Sequence, residues 1–455
     1  MKRALQRNKL LRVSGLLLLA AVALLTLAVL WHNWGDLLAP AQPTPANSAS
    51  ANANTSADTL QRGHYLVRAG NCMACHTTRG GAPLAGGRAI ETPFGAVYSS
   101  NLTPDADTGL GRWSTQDFWH ALHHGRSRGG RLLAPAFPYE HTSVITREDS
   151  DAMFAWLQVQ PPVRQATPAH TLRWPLGTQA ALAVWRTLFF APQTFTPDPA
   201  QNAEWNRGAY LVQGLGHCAA CHSPRNALGA SAGVANLSGG LMPIVNWYAP
   251  NLHNDRETGL ASAPVAETVR LLQTGQSAQA SVSGPMAEVV QHSLQHLHPE
   301  DLQAMAVYLQ SRAQQVSGSA SGSASAPAVL AAAQPAPVRA SVANHGLKVY
   351  ERHCATCHGA RGEGVPGIYP ALADNRAVRL SDPTNLVQTV LFGGYGPVTK
   401  GEPRPFGMPP FVLELEDRDI AAVLTHLRMA LQPEGRKAGE VTPLQVNRIR
   451  AENDQ

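Results

Sequence analysis

The chain has no cysteine to spare. It runs to 455 residues with six cysteines, and all six fall in one five-residue pattern that occurs three times. None remains for a disulfide, so stability must come from burial and packing. Charge is also scarce: Asp, Glu, Lys and Arg together make 15% of the residues, with a formal net charge of +5. No block of basic residues interrupts this balance, which reads as a solvated surface slightly rich in Arg and excludes a nucleic-acid partner. No Gly-rich dinucleotide fingerprint follows a strand, and no molybdopterin or quinone-type cofactor site is recognisable. The chain therefore does not itself bind the organic cofactors of common dehydrogenases.

What is present is the pentad Cys-x-x-Cys-His, as Cys72-Met-Ala-Cys75-His76, Cys218-Ala-Ala-Cys221-His222 and Cys354-Ala-Thr-Cys357-His358. This is the attachment signature of c-type haem, with two thioethers to the porphyrin edge and the adjacent imidazole on iron. A zinc reading needs ligands in complementary pairs, yet each pair here lies more than a hundred residues from the next. A redox dithiol wants one pair beside a βαβ pattern, and there is none. The sequence thus implies three covalent haems, held by Cys72, Cys75, Cys218, Cys221, Cys354 and Cys357, with His76, His222 and His358 as proximal ligands. Haem attachment of this kind occurs outside the cytoplasm.

At the N-terminus, Val13 to Trp31 carries no charge over 19 residues, preceded by Lys and Arg. That length suits a bilayer span, Trp31 and Trp34 suit its outer interface, and the basic flank orients the remainder to the far side. The expectation is a signal anchor in the inner membrane with the bulk facing the periplasm. Cleavage in the Ala-rich stretch, for example after Ala51, is the competing reading.

The rest of the chain repeats. Arg62-Gly-His-Tyr65-Leu-Val precedes the first pentad, and Arg207-Gly-Ala-Tyr210-Leu-Val precedes the second. Asn101-Leu-Thr-Pro-Asp105 recurs as Asn251-Leu-His-Asn-Asp255. Each unit closes with an apolar helix starting near Asp149, Asp301 or Asp419, with Leu157, Leu309 or Leu427 eight residues on, which turns one stripe inward. The expected fold is all-α: three class I cytochrome c-like domains in tandem after one N-terminal transmembrane helix. The expected boundaries are 1–38 anchor, 39–58 Ala/Pro/Ser linker, 59–165 first domain, 166–200 apolar connector, 201–316 second domain, 317–340 linker, 341–431 third domain and 432–455 tail. The connector, with Trp174, Trp185 and Phe190, reads as an amphipathic helix in the membrane interface or on a partner, or as a packed bridge between the first two units.

On the far side of each iron the units differ. In the third, Phe406-Gly-Met408-Pro409-Pro410 places a methionine between pentad and closing helix, whereas Met429 reads as packing. In the second, Gly284-Pro285-Met286 has the same placement, and Met242 competes from nearer the pentad. The first has no such methionine: Met73 is inside the pentad, Met153 belongs to the closing helix, and the loop reads Ala134-Pro-Ala-Phe137-Pro-Tyr139-Glu-His141. Either His141 binds that iron, or it is five-coordinate, or another histidine such as His123 or His124 reaches it. Met raises a haem potential relative to a more basic ligand, so the first haem is expected to be the most reducing.

Beyond the anchor, the chain resembles the triple-haem cytochrome c subunits of bacterial periplasmic alcohol, gluconate and aldehyde dehydrogenases. The resemblance rests on Gly95-Ala-Val-Tyr98-Ser-Ser-Asn101-Leu-Thr-Pro-Asp105, Arg173-Trp-Pro-Leu176, His217-Cys218-Ala-Ala-Cys221-His222-Ser-Pro-Arg225 and Met286-Ala-Glu-Val-Val. Alcohol-type members carry Ala-Met-Pro-Tyr where this chain has Ala136-Phe137-Pro138-Tyr139, and the Phe form resembles the branch paired with molybdenum hydroxylases acting on aldehydes or N-heteroaromatic acids such as nicotinate. The resemblance implies electron transfer from a catalytic dehydrogenase subunit to quinone, a terminal oxidase or another cytochrome, at the membrane. The rival class is a self-sufficient haem enzyme, peroxidase-like, using an open first haem. A haem-based sensor would need a signalling module that the sequence lacks.

Overall fold

The structure, a computed structural model, describes residues 2–34, 56–242, 244–320, 340–433 and 438–453. Most of the expected tethers at 39–58 and 317–340 lies outside the described residues.

Lys2–Trp34 forms one helix, α1. Among the described residues, however, no helix is long and apolar enough to cross a membrane. The transmembrane anchor expected at 1–38 is therefore corrected, and the inner-membrane, periplasm-facing placement that rested on it falls too. Five basic residues (Lys2, Arg3, Arg7, Lys9 and Arg12) occupy the helix's first third. At its other end Asn33 is fully buried. Its amide donates to the carbonyls of Val29 (2.9 Å) and Ala183 (3.0 Å), and its Oδ1 accepts from Arg186 Nε at 2.9 Å. The apolar run was read by hydropathy alone, which does not register that its last turn is tied to protein by polar bonds.

The rest is built on three crossed helix pairs. The first pair is α2 (Ala57–Ala69), followed by the short α3 (Cys72–His76), and closed by α6 (Arg147–Gln158). Between these lie a ribbon of β1 (Ala89–Thr92) and β2 (Gly95–Tyr98), then α4 (Thr115–His124) and α5 (Tyr139–Thr142). After α7 (Gln179–Phe189) the second pair is α8 (Ala203–Tyr210), leading to α9 (Ala219–His222), and α13 (Pro299–Ala320). It encloses β3 (Gly240–Met242), β4 (Trp247–Ala249), α10 (Asp255–Thr258), α11 (Val265–Thr274) and α12 (Pro285–His292). The third pair is α14 (Ala340–His353), leading to α15 (Ala355–His358), and α18 (Asp417–Met429). It encloses α16 (Arg376–Arg379), α17 (Thr384–Phe392), β5 (Gly394–Tyr395) and β6 (Gly407–Met408), and α19 (Pro443–Asn453) follows. The two-stranded antiparallel ribbons β1–β2, β3–β4 and β5–β6 are the departure from an all-helical plan.

Each pair crosses where a glycine on the first helix meets an alanine on the second. A Cβ at Gly63 would lie 2.0 Å from the Ala152 carbonyl oxygen, at Gly208 2.0 Å from that of Ala304, and at Gly346 2.2 Å from that of Ala422. These alanines stand three residues after Asp149, Asp301 and Asp419, in register with the buried Leu157, Leu309 and Leu427. The closing-helix stripe thus contains a small residue where the partner backbone passes and a large one a turn and a half later, which permits a close crossing.

The first two pairs share one apolar core. Leu66 and Val67 of α2 belong to the same buried cluster as Leu211, Leu215, Leu294 and Tyr308. The third pair has its own, around Tyr350, Leu391, Ile420 and Leu424. It meets the second through hydrogen bonds: Tyr248 and Asn385 exchange two at 2.7 and 2.8 Å, and Gln388 donates to the Asn246 carbonyl at 3.1 Å. The connector lies beside the first pair. Thr171 and Arg173 donate backbone bonds to Ala96 and Phe94, and Leu182 and Ala183 of α7 pack with Leu132, Val29 and Trp34.

Candidate haem sites

Each cysteine pair lies on or just before one short helical turn. The Cys-x-x-Cys spacing puts both sulfurs on one side of a turn, and the next residue points its imidazole the same way. Burial, then the neighbouring cysteine, pushes Cys72 and Cys218 up to about 12, and burial pushes Cys354 up to about 11. Among the described residues no group of three or more His, Cys, Asp and Glu is placed to hold a bare metal ion.

Each histidine expected as a proximal ligand is fixed through Nδ1. His76 donates to the Ser100 carbonyl at 2.7 Å, His222 to that of Pro250 at 2.8 Å, and His358 to that of Pro370 at 3.0 Å. A carbonyl only accepts, so Nδ1 carries the proton and Nε2 keeps its lone pair, the tautomer an iron ligand requires. Burial lowers the pKa of all three, opposed by that same bond, so each ring stays neutral. The residues present fit haem: paired cysteines, and an imidazole oriented by its Nδ1 hydrogen bond.

The sequence repeat Asn101-Leu and Asn251-Leu now has a physical role. Each Asn directly follows the carbonyl that holds the histidine. The Asn101 side-chain oxygen accepts from Thr103 N at 2.9 Å, and that of Asn251 from His253 N at 2.9 Å, turning the chain so the preceding carbonyl faces inward. The backbone then closes a cradle of the same form three times. Gly86, Gly239 and Gly364 donate to the carbonyls of His76, His222 and His358 at 2.7, 2.8 and 2.8 Å. Leu102, Leu252 and Leu372 donate to Leu84, Leu237 and Gly362, each at 2.8 Å. The three glycines have φ of 74°, 77° and 67°, left-handed values that β-carbons resist. Sequence reasoning missed these glycines, because they lie ten, seventeen and six residues after their histidines. It also missed Arg88, and it named Arg225 only within a motif; the two donate to the Ala74 and Ala220 carbonyls inside the first two pentads at 2.5 and 2.6 Å.

The second unit has one more residue than the first between its Tyr and its pentad. A π-turn at Leu211–Leu215, closed by Gly216 N to the Leu211 carbonyl at 2.7 Å, takes up the excess.

The candidate distal residues fall as follows. Met286 opens α12 and Met408 ends β6, each half-buried against the core of its region. Met242 is in the β3–β4 ribbon opposite Trp247, and Met153 is buried in α6. In the first unit Phe137 packs on the shared core. His141 is 1% exposed, with Nδ1 donating to the Gln213 carbonyl of the second unit at 3.2 Å. Burial, then His217, lowers it to about 3, so it is a neutral base whose Nε2 is the remaining ring nitrogen. It lines a small cavity with Phe137, Ala220 and Arg225, and so stands at the seam between the first two units. His123 donates Nδ1 to the Ser143 carbonyl at 2.6 Å and stacks on Trp119, while His124 meets His123 edge-on.

Residues 343–430 match the cytochrome c family. The chain is 36% identical over 403 residues to the gluconate 2-dehydrogenase cytochrome c subunit of Pantoea cypripedii, covering 86% of this chain and 90% of that one. It is 37% identical over 402 residues to the alcohol dehydrogenase (quinone) cytochrome c subunit of Gluconacetobacter polyoxogenes, covering 86% and 84%. A nicotinate dehydrogenase subunit of Pseudomonas putida is 40% identical over 415 residues, which is 90% of this chain but only 32% of that much longer protein.

Proposed function

The chain belongs to the family of cytochrome c subunits of dehydrogenases, an electron-transfer chain with covalently bound c-type haem, and on that premise we propose that it holds three haems, one per pentad. They relay electrons from a catalytic dehydrogenase subunit to a quinone, a terminal oxidase or another cytochrome. The observation that carries the count is the cradle. All three pentads, and not only the one in 343–430, have the same histidine-to-carbonyl bond, the same positive-φ glycine and the same Leu N–H closure. Haem iron supplies the one-electron couple.

The chain's own residues attach, orient and shield. Cys72 with Cys75, Cys218 with Cys221, and Cys354 with Cys357 provide the thioether sulfurs. His76, His222 and His358 would hold the iron through Nε2, and Met286 and Met408 would add a sulfur ligand in the second and third units. In the first unit His141 is the proposed counterpart. Domains at 59–165, 201–316 and 341–431 carry one site each. Phe137 and the nicotinate dehydrogenase relative favour a molybdenum hydroxylase for aldehydes or N-heteroaromatic acids as catalytic partner.

A pyridine haemochrome assay and haem-stained denaturing gel on the purified chain test the count, with three haems per chain expected and fewer refuting it. Carbon-monoxide difference spectra of the reduced protein separate this relay from a peroxidase-like enzyme: a relay with three six-coordinate irons gives no appreciable adduct.

A further inference from the structure

The Tyr that precedes each of the first two pentads is bonded across units, not within its own. Arg62 and Asp149 pair inside the first unit, at 2.9 Å from Nε, and Arg207 and Asp301 inside the second, at 2.7 Å. The tyrosines cross over. Tyr65 OH of the first donates to Asp301 Oδ2 of the second at 2.5 Å, and Tyr210 OH of the second donates to Asp149 Oδ2 of the first at 2.5 Å. Each hydroxyl also accepts a backbone N–H at the start of the other unit's closing helix: His298 N to Tyr65 at 3.3 Å and Thr146 N to Tyr210 at 3.2 Å. The arrangement is reciprocal, as in a two-fold dimer interface, but within one chain. Asp149 is 3% and Asp301 8% exposed, so both bonds lie away from solvent.

The same seam brings the two pentads together. A Cβ at Gly70 would lie 3.3 Å from Cys72 Sγ and 3.5 Å from Leu215 of the segment entering the second pentad. Arg88, which holds the first pentad's Ala74 carbonyl, also pairs with Glu288 at 3.6 Å on α12, the helix that Met286 opens. A second pair of cross-unit bonds runs from Ser293 Oγ to the Ala69 carbonyl at 3.0 Å and from His141 to the Gln213 carbonyl. Among the described residues the third unit shares no apolar core with the second; it meets it through polar bonds, the Tyr248–Asn385 pair and Ser381 Oγ to the buried Glu257 at 2.8 Å among them, with no reciprocal tyrosine–aspartate exchange.

We infer that the first two units form a single rigid two-haem module, fixed by the reciprocal Tyr65–Asp301 and Tyr210–Asp149 bonds. In it Tyr65 and Tyr210 are positioning residues for electron exchange between the first two haems, while the third unit is a separately folding partner. The haem part of the inference rests on the three-haem reading; the mechanical part does not.

The test uses the full chain with Tyr65→Phe, Tyr210→Phe and the double change. Phenylalanine keeps the ring of residue 65 on His298 and that of residue 210 on Phe195, and the aspartates keep their arginines, so only the cross-unit hydroxyls are lost. In the parent, hydrogen exchange should show the first two units opening together and the third separately. Each single change should raise amide exchange along α2, α6, α8 and α13 by about tenfold, and the double change by more than either. Pulsed dipolar EPR of the oxidised protein should show a broadened distance distribution between the first two irons in the double variant, with each haem's optical spectrum unchanged. Unaltered exchange and an unaltered distribution in the double variant overturn the lock, as does separate opening of the first two units in the parent. A parent with fewer than three haems overturns the three-haem reading instead, and the exchange data still decide the lock.

Discussion

Replacing Gly63 with alanine is the most direct probe of the helix crossing that builds each unit. The new Cβ would sit 2.0 Å from the Ala152 carbonyl oxygen, 2.7 Å from its carbon and 2.9 Å from Trp156 Cβ, where ordinary contact begins at 3.4 Å. Relief needs α2 and α6 to part by roughly 1.4 Å. No rotamer change can provide it, because the obstacle is backbone on one side and a Cβ on the other. Overpacking typically costs about 1–3 kcal/mol, and a backbone clash belongs at or above the upper end. Against this, alanine gains about 1 kcal/mol of helix propensity over glycine. The clash wins by about 2–3 kcal/mol, a drop in Tm of about 4–12 °C for a two-unit body of this size. Thermal unfolding followed by visible circular dichroism of the haems, with urea titration alongside, would measure it. A variant as stable as the parent would mean that propensity dominates and that the helices do not cross this closely. The same change at Gly208 and Gly346 should repeat the result.

Met286→Ala and Met408→Ala should each remove the weak near-infrared sulfur-to-iron band of one haem and lower that haem's potential, since a soft ligand favouring ferrous iron is lost; an unchanged spectrum and potential would make that methionine a packing residue only. His141→Ala should produce a high-spin ferric signal for one haem in three and a new carbon-monoxide-binding site, whereas low-spin spectra throughout would show that another ligand holds the first iron. Burial opposes ionisation of Asp301, but hydrogen bonds from Arg207 and Tyr65 outweigh it and leave its folded pKa below the ordinary carboxylate value. Its stabilising contribution is therefore complete above that ordinary value and fades as pH falls through the folded one. The Tm difference between parent and Asp301→Asn should accordingly be largest near neutrality and shrink in acid, and a gap constant with pH would contradict the assignment.

Local periodicity was legible in the sequence. The pentads declare themselves because two thiols and an imidazole must share one helical turn. The closing helices do so because Leu157, Leu309 and Leu427 recur at one offset from an acidic start. Hydropathy misled at the N-terminus: Val13 to Trp31 is apolar as a string, but nothing in that string reveals Asn33 buried against α7 beside Arg186. The cradle glycines were invisible for a different reason. Their distance from the histidine varies with loop length, while the condition they meet, a left-handed φ under a passing carbonyl strand, is spatial. The repeated Arg, Tyr and Asp were readable as a motif in each unit, but their partners were not: the structure pairs Arg62 with Asp149 within a unit and each Tyr with the other unit's Asp. Only the packing of two amphipathic helix pairs on one core carries each hydroxyl across to the other unit's aspartate, because shared apolar burial sets which faces meet, and the hydrogen bonds follow from that contact.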